Sequence, residues 1–374
     1  MQPVKIAITS VLKPLKDSRS YYKFGLSLRE RNKYQINIIG FCSKKERDEK
    51  SIKFHPLFYK NRNSISRFAA GFRLLKLLIK IKPKILIVTT YELLPYALLG
   101  KFLLKYKVIY DIQENYSLNI KYNNGKYGIE KSFFAGIVKL IESSSRPFID
   151  HFIFAEKCYP NEFPSIKNFT ILENKYQGPI TQGSKPFKIE ADAIQFLLCG
   201  TLAEVYGGMD AILWFENILK INPYARLKIL GHAPLEGFRN KLRDLVRDKP
   251  YIHACIEDKP LDYTLILEAY KASDLILLPY HQIKSISPKI PSKLYECLAL
   301  NKAFLFSPNT AWKSLAEKYG AGIEVDFQNP NDHQSVLQFI KSKVFYDKFT
   351  AQEALWETEK EKFLDLIDNH ITST

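Results

Sequence analysis

Short, nearly continuous apolar runs punctuate the chain, and between them lie segments whose apolar positions recur every three or four residues. Runs at Lys5–Ser10, Gln35–Phe41, Lys84–Thr90, Val108–Ile112, His151–Ala155 and Phe169–Leu172 read as one set of strands. A second set follows at Ile194–Cys199, Arg226–Leu230, Tyr251–Ile256, Leu275–Leu278, Ala303–Phe306 and Gly322–Val325. Strands apolar on both faces and alternating with helical patterns predict parallel sheets covered by helices on either side. Tyr176 to Glu190, between the two sets, lacks periodicity and carries two Gly and two Pro, so it reads as a linker. The division is an α/β domain over 1–177, a linker over 178–190 and a second α/β domain over 191–345. From about Tyr346 to Ile371 a helical tail follows, with Phe349, Leu355, Trp356, Phe363, Leu366 and Ile367 available to pack.

Two helices of the first domain matter later. One is predicted from about Arg19 to Arg31, the other over Ser64–Lys82. In the second, Ile65, Phe68, Phe72, Leu75 and Ile79 recur at helical spacing, which turns them toward the sheet. Arg67, Arg73, Lys76, Lys80 and Lys82 interleave with them.

Composition narrows the class. A length of 374 residues suits two domains, and 46% hydrophobic with 25% charged residues is a globular balance. No run approaches the roughly 18 apolar residues of a membrane-spanning helix, and Val4 to Thr9 is too short for a signal peptide. Five cysteines without paired metal spacing read as reduced thiols of a cytoplasmic protein. The net charge of +16 is uneven: residues 1–180 hold 32 Lys+Arg against 14 Asp+Glu, the remainder 23 against 25. The excess lies wholly in the first half and predicts an anionic partner there. Basic residues near an anionic leaflet contribute about 1 kcal/mol each, so the expected partner is a membrane surface, the inner face of the plasma membrane. Nucleic acid is not expected, because no Gly/aromatic recognition module accompanies the charge.

The richest stretch for chemistry is Ile290-Pro291-Ser292-Lys293-Leu294-Tyr295-Glu296-Cys297-Leu298-Ala299, set between two apolar runs. Proline favours a first helical turn, so Pro291 is expected to open a helix. The amides of Ser292, Lys293 and Leu294 would then stand unpaired at the positive end of its dipole, ready for phosphate. Ser292 and Lys293 share an edge with Glu296. Lys293 can neutralise a diphosphate while Glu296 accepts from a diol such as ribose. A bland surface helix with a Lys–Glu pair is the competing reading. Position decides against it, because ligands of open α/β sheets bind at the carboxyl ends of strands.

Pro-Ser-Lys-x-Tyr-Glu-x-x-Ala ahead of a strand resembles the donor-site segment of GT-B glycosyltransferases, in particular the family-4-like bacterial group. The resemblance implies a GT-B fold, with two Rossmann-like domains whose parallel sheets face a central cleft, and a tail (about 346–374) that returns to the first domain. It implies that Glu296 binds the ribose of a nucleotide sugar. Two departures stand out: Pro288 occupies the place of a further glutamate found eight residues before in many members, and Ala299-Leu300-Asn301-Lys302-Ala303 replaces a downstream Ala-x-Gly-x-Pro.

Other candidates lie at strand ends. Gly200-Thr201-Leu202-Ala203-Glu204-Val205-Tyr206-Gly207-Gly208 precedes a helix, and its glycines let amides approach a phosphate closely. Thr201 and Tyr206 or Gly207 stand where many family-4 enzymes have an Arg and a Lys, which leaves more of the neutralisation to Lys293. By resemblance, Ile256 and Glu257 hold the base of the nucleotide through backbone groups. In the first domain, Tyr110-Asp111-Ile112-Gln113-Glu114 is similar to a Tyr-Asp-x-His-Glu segment of a bacterial subset. Gln113 cannot exchange a proton, so it is expected to orient a sugar hydroxyl. Asp17 and Glu114, with Asp111, are the candidate catalytic acids, and Arg19 a candidate positioner of the acceptor. For Asp17 and Glu114 a cap or an ion pair is an equal alternative. His232 and His281 end strands without metal-ligand spacing.

These residues predict a cytoplasmic, nucleotide-sugar-dependent hexosyltransferase. Its donor is of UDP or GDP type and its acceptor a hydroxyl on a lipid-linked or other oligosaccharide of surface polysaccharide or glycolipid. No cofactor is expected, and no metal, since no Asp-x-Asp lies near the donor segment and helix amides can replace it. The alternatives are a nucleotide-sugar epimerase of the same plan and a basic nucleic-acid-binding protein.

Overall fold

Ile85-Leu86-Ile87-Val88 is fully buried along its whole length, which requires cover on both faces of its sheet. The structure, a computed structural model, describes residues 3–42, 46–59, 69–122, 129–180, 185–329, 332–347 and 351–372. Contacts divide these into two units. The first runs from the N-terminal strand to Lys121, from 129 to Gln177, and again from Trp356 onward; the second spans Gly178 to Leu355.

The first unit holds a seven-stranded sheet of β1 (Val4–Pro14), β2 (Tyr34–Cys42), β3 (Ile52–Tyr59), β4 (Ile85–Val88), β5 (Lys107–Ile112), β6 (His151–Phe154) and β7 (Phe169–Ile171). Their order is β3-β2-β1-β4-β5-β6-β7, all parallel. Alternate residues of each strand feed two cores. Ala7, Leu86 and Val88 meet the helices Ala70–Ile81 and Leu94–Leu104. Ile6, Ile8, Ile85 and Ile87 meet Phe24 and Leu28 and the far end of the chain, where Trp356, Phe363 and Ile367 are buried. Phe363 lies on the helix Glu357–Thr372, and its ring stacks on Phe24 at 4.3 Å. The Trp356 indole donates to Ser27 Oγ at 3.0 Å. Each large apolar side chain so buried stabilises the unit by roughly 1.5–3 kcal/mol.

The second unit has six strands: β8 (Gln195–Thr201), β9 (Arg226–His232), β10 (Ile252–Glu257), β11 (Leu275–Leu278), β12 (Ala303–Phe306) and β13 (Gly322–Glu324). The order β10-β9-β8-β11-β12-β13 is again wholly parallel. Strand order reverses between β1 and β4 in one sheet and between β8 and β11 in the other, the two places where a doubly wound sheet opens a crevice.

Several expectations need correction. β3 was not expected, because Lys53, His55 and Pro56 interrupt its apolar run; it is an edge strand, where a proline is tolerated. The helix expected over Ser64–Lys82 is described from Ala70 to Ile81, with Ile65, Arg67 and Phe68 outside the described residues, as is Phe349 of the tail. Its buried face is Ala70, Gly71, Leu74, Leu78 and Ile81, while Phe72 and Ile79 are exposed. Gly71 explains the rotation: a Cβ there would stand 2.1 Å from the Tyr96 ring, so the neighbouring helix sits directly on its backbone. In the tail, Tyr346 stays with the second unit, donating to the carbonyls of Cys297 and Lys302 at 2.9 Å each, and the helix starts only at Glu357.

Candidate functional site

At the β8–β11 switch point the two strand ends are laced together. The Val205 carbonyl accepts from the His281 amide at 3.0 Å, and the Tyr206 and Tyr280 rings meet edge-on at 5.2 Å. Gly207 has a φ of +65° and starts the helix Gly208–Ile221; a Cβ there would lie 1.8 Å from the Pro279 carbonyl oxygen. Only glycine lets the two loops close to that distance. His281 pairs with Asp210 at 2.6 Å across the same junction. The loop from β11 to the next helix is pinned from outside: Asn309 Nδ2 donates to the Ser287 carbonyl at 2.9 Å, and Trp312 Nε1 to Lys289 at 2.7 Å.

That loop delivers the helix Ser292–Ala299. Pro291 is its cap, with ψ of 141°, rather than its first helical residue. The Leu294 amide turns back to the Pro291 carbonyl at 2.9 Å. The Leu294 amide is therefore corrected, its donor being used within the turn, while its side chain faces the core. The amides of Ser292 and Lys293 have no acceptor among the described residues.

Lys293 reaches from this helix onto Gly200, where φ is +94° and a Cβ would meet Lys293 Cε and Nζ at 2.5 Å each. No carboxylate stands within ion-pair distance of Lys293 among the described residues. Burial works against its charge. Tyr280, Cys199, Glu296 and Tyr206 outweigh that and hold the ammonium above the ordinary lysine value. Cys199, deep beneath it, is pushed up to about 11 by burial, Lys293 pulling the other way. Three residues along, Glu296 accepts from the Tyr270 hydroxyl at 3.1 Å. Burial keeps Tyr270 well above its usual value, so it stays a donor. Gly200, Thr201, Tyr206, Gly207, Ser292, Lys293 and Glu296 thus gather at one switch point, offering a fixed cation, two helix-start amides and an oriented carboxylate.

Ile256 and Glu257 lie two strands away, at the end of β10. The Ile256 carbonyl accepts from Arg243 Nε at 3.1 Å and the Glu257 carbonyl from the Ala233 amide at 2.8 Å, so both backbone acceptors already have partners.

In the first unit the candidate residues separate by role. Arg19 and Asp111 form a buried two-pronged pair, Nε to Oδ2 and Nη2 to Oδ1 at 2.8 Å each, and Gln113 Nε2 adds a bond to Asp111 Oδ2 at 2.9 Å. The Arg19 guanidinium also lies 4.9 Å from the Phe24 ring centre. Asp17 caps the wide π-type helix Ser18–Gly25, accepting from the amides of Arg19 and Ser20 at 2.9 Å each. Glu114 alone of the three acids keeps a substantially solvent-facing carboxylate, 3.0 Å from Asn119 Nδ2 and 3.9 Å from Lys13 Nζ.

Sequence reasoning missed Tyr280, Tyr270 and Asp210. Tyr280 was within reach, since it closes an apolar strand as Thr201 does. Tyr270 and Asp210 had no local signal; sheet order alone brings them to the site.

No family model matches the chain, and no curated protein does. Solved structures do. Sucrose-phosphate synthase from Thermosynechococcus elongatus superposes with a TM-score of 0.71 at 9% identity, over 99% of this chain and 100% of the other. The catalytic domain of starch synthase IV from Arabidopsis thaliana, bound to ADP and acarbose, gives 0.66 at 10% identity over 100% of each chain. Anabaena HepE in complex with UDP and glucose gives 0.62 at 11% over 98% and 100%. At such identities the likeness is one of fold, and the chain has the GT-B fold, two Rossmann-like units each built on a parallel sheet.

Proposed function

We propose that this protein is a glycosyltransferase that moves a sugar from a nucleoside diphosphate sugar, of UDP or GDP type, to an acceptor hydroxyl. The observation that carries this reading is the Lys293 ammonium seated on the bare backbone of Gly200, beside a carboxylate fixed by Tyr270. In this reading Lys293 and the amides of Ser292 and Lys293 hold the diphosphate and stabilise it as it departs. Glu296 accepts from the ribose hydroxyls, and the Gly200–Gly207 loop brings backbone against phosphate. The acceptor oxygen bonds to the anomeric carbon as the bond from that carbon to the diphosphate breaks, and the hydroxyl proton passes to a base. Glu114 is the base proposed here. Fixed positive charge from Lys293 and the helix start supplies what a metal would, so the proposed reaction needs none.

Two of the similar structures support the donor class by what they hold, ADP with acarbose in one and UDP with glucose in the other. The charge excess of residues 1–180 supports an acceptor at an anionic surface, a lipid-linked oligosaccharide in surface polysaccharide or glycolipid assembly at the inner face of the membrane. A thermal-shift screen across UDP, GDP, dTDP and CMP and their sugars tests the reading. One nucleoside diphosphate should raise the melting temperature of the wild type and not of Glu296→Ala; no rise with any of them overturns it. An epimerase of the same plan would convert the donor without acceptor, which product analysis separates.

A further inference from the structure

The helix Ile129–Ser145 is turned inside out relative to an ordinary surface helix. Its buried positions are Ala135, Val138, Glu142 and Ser145, whereas Phe133, Phe134 and Leu140 are 66%, 58% and 67% exposed and Ile129 and Ile137 are also uncovered. A surface helix normally sends its large apolar residues inward. Glu142 goes in instead because Tyr110, on β5, donates to it at 2.8 Å. The neighbouring helix, Leu94–Leu104, packs between this one and Ala70–Ile81 and continues the apolar surface with Leu99, Phe102 and Leu103. Ala70–Ile81 adds Phe72 and Ile79. Exposed large apolar side chains spread over three neighbouring helices mark a candidate interaction surface.

Charge says what covers it. On the three helices and the residues that end the first two stand Arg73, Lys76, Lys80, Lys82, Lys105, Lys131 and Lys139, against one exposed acid, Glu130; Lys101 is already paired with Asp150 at 2.6 Å. An apolar face rimmed by cations of one sign matches the boundary of an anionic bilayer, with acyl chains below and phosphate headgroups around. No helix among the described residues is long and apolar enough to cross a membrane, so contact would be made on the surface.

We infer that the face of the first unit formed by Ala70–Ile81, Leu94–Leu104 and Ile129–Ser145 docks on an anionic lipid bilayer, with Phe133, Phe134, Leu140 and Phe102 entering the acyl boundary. The inference gives the proposed transferase the surface on which it meets a lipid-linked acceptor, and in that sense rests on that reading.

Flotation of the full chain with vesicles of phosphatidylglycerol and phosphatidylcholine in equal parts, and with phosphatidylcholine alone, tests it. The wild type should float with the mixed vesicles and far less with the neutral ones, and added salt should weaken its binding. The double variant Phe133→Ser/Phe134→Ser, with its melting temperature kept, should lower the partition at least about tenfold. Lys76→Glu/Lys80→Glu should lower it on mixed vesicles only. Absence of flotation, or flotation indifferent to both variants, overturns the inference. So does a wild-type dimer in sedimentation that Phe133→Ser/Phe134→Ser makes monomeric, since a second copy then covers the face. UDP and GDP thermal shifts on the wild type keep the two readings apart: a wild type that does not float but shows the shift refutes the docking face alone, and one that floats without any shift refutes the donor reading alone.

Discussion

Lys293 and Gly200 are fitted to one another: the lysine's last carbon and nitrogen occupy the space that a side chain at 200 would fill, 2.5 Å from an added Cβ. Gly200→Ala therefore meets two obstacles, the displaced lysine and a backbone at φ +94° that only glycine adopts cheaply. Both Gly200→Ala and Lys293→Met should weaken nucleoside diphosphate binding by roughly tenfold or more, since a charged hydrogen bond contributes about 1.5–3 kcal/mol. The parent nucleoside, without phosphates, should bind the variants as it binds the wild type. Titration calorimetry with both ligands decides; an equal loss for the two removes the phosphate from Lys293.

Tyr270 touches Glu296 at 3.1 Å and, in the proposed site, would bear on the donor through that carboxylate, so its loss should be the milder one. Glu296→Ala should cost about ten- to a hundredfold in nucleotide affinity, and Tyr270→Phe only a few fold, near the 1 kcal/mol of an ordinary hydrogen bond. A 2′-deoxy nucleotide should bind more weakly than the ribose form to the wild type and equally to Glu296→Ala. Retained discrimination in that variant would detach the ribose from Glu296.

The acids of the first unit separate by thermal stability. Asp111→Asn leaves a buried guanidinium without its carboxylate, a loss of about 3–5 kcal/mol, so its melting temperature should fall steeply. Asp17→Ala should cost about 1 kcal/mol through the lost cap. Glu114→Gln should melt like the wild type and turn over far more slowly. If Asp111→Asn kept its melting temperature while turnover vanished, Asp111 and not Glu114 would be the group that meets substrate.

His151 provides a pH handle. Burial first, and the His370 ring at 5.2 Å second, hold its imidazole down to about 4, with Nε2 2.9 Å from Thr170 Oγ1. The unfolded chain takes up the proton near pH 6.5. Between these values the unfolded state alone is protonated, so stability falls as pH drops from about 6.5 to about 4. Allowing for solvent near the ring, the loss should be about 2 kcal/mol. Replacing the ring by a neutral amide, His151→Gln, should flatten melting temperature against pH over that window; an unchanged slope rules the histidine out.

The second unit was the more legible. Its central strands β11 and β12 are wholly apolar, and one α-helix separates each strand from the next, so the alternation stands out. β3 was lost because Lys53, His55 and Pro56 interrupt its apolar run, and edge position, which permits them, is a property of the sheet and not of the segment. The Ala70–Ile81 face was misjudged because Leu-Leu-Lys-Leu-Leu-Ile-Lys-Ile is apolar in two overlapping helical registers, and Tyr96 on Gly71 selects between them. In the site, Lys293 and Glu296 could be read from spacing and position along a strand–helix order. The Leu294 amide could not, because whether the turn closes on Pro291 depends on a ψ angle. Arg19 and Asp111 lie 92 residues apart and meet only once β1 and β5 share a sheet.

Trp356 and Phe363 complete a core whose other walls are Phe24, Leu28 and β1, laid down more than three hundred residues before. During synthesis the N-terminal sheet is consequently left with one flank open while the ribosome makes all of Gly178–Leu355. That later unit lies almost wholly within Gly178–Leu355 and can close first. The part of the protein made earliest is finished last, and its unsealed flank is the surface a chaperone would have to shield in the interval.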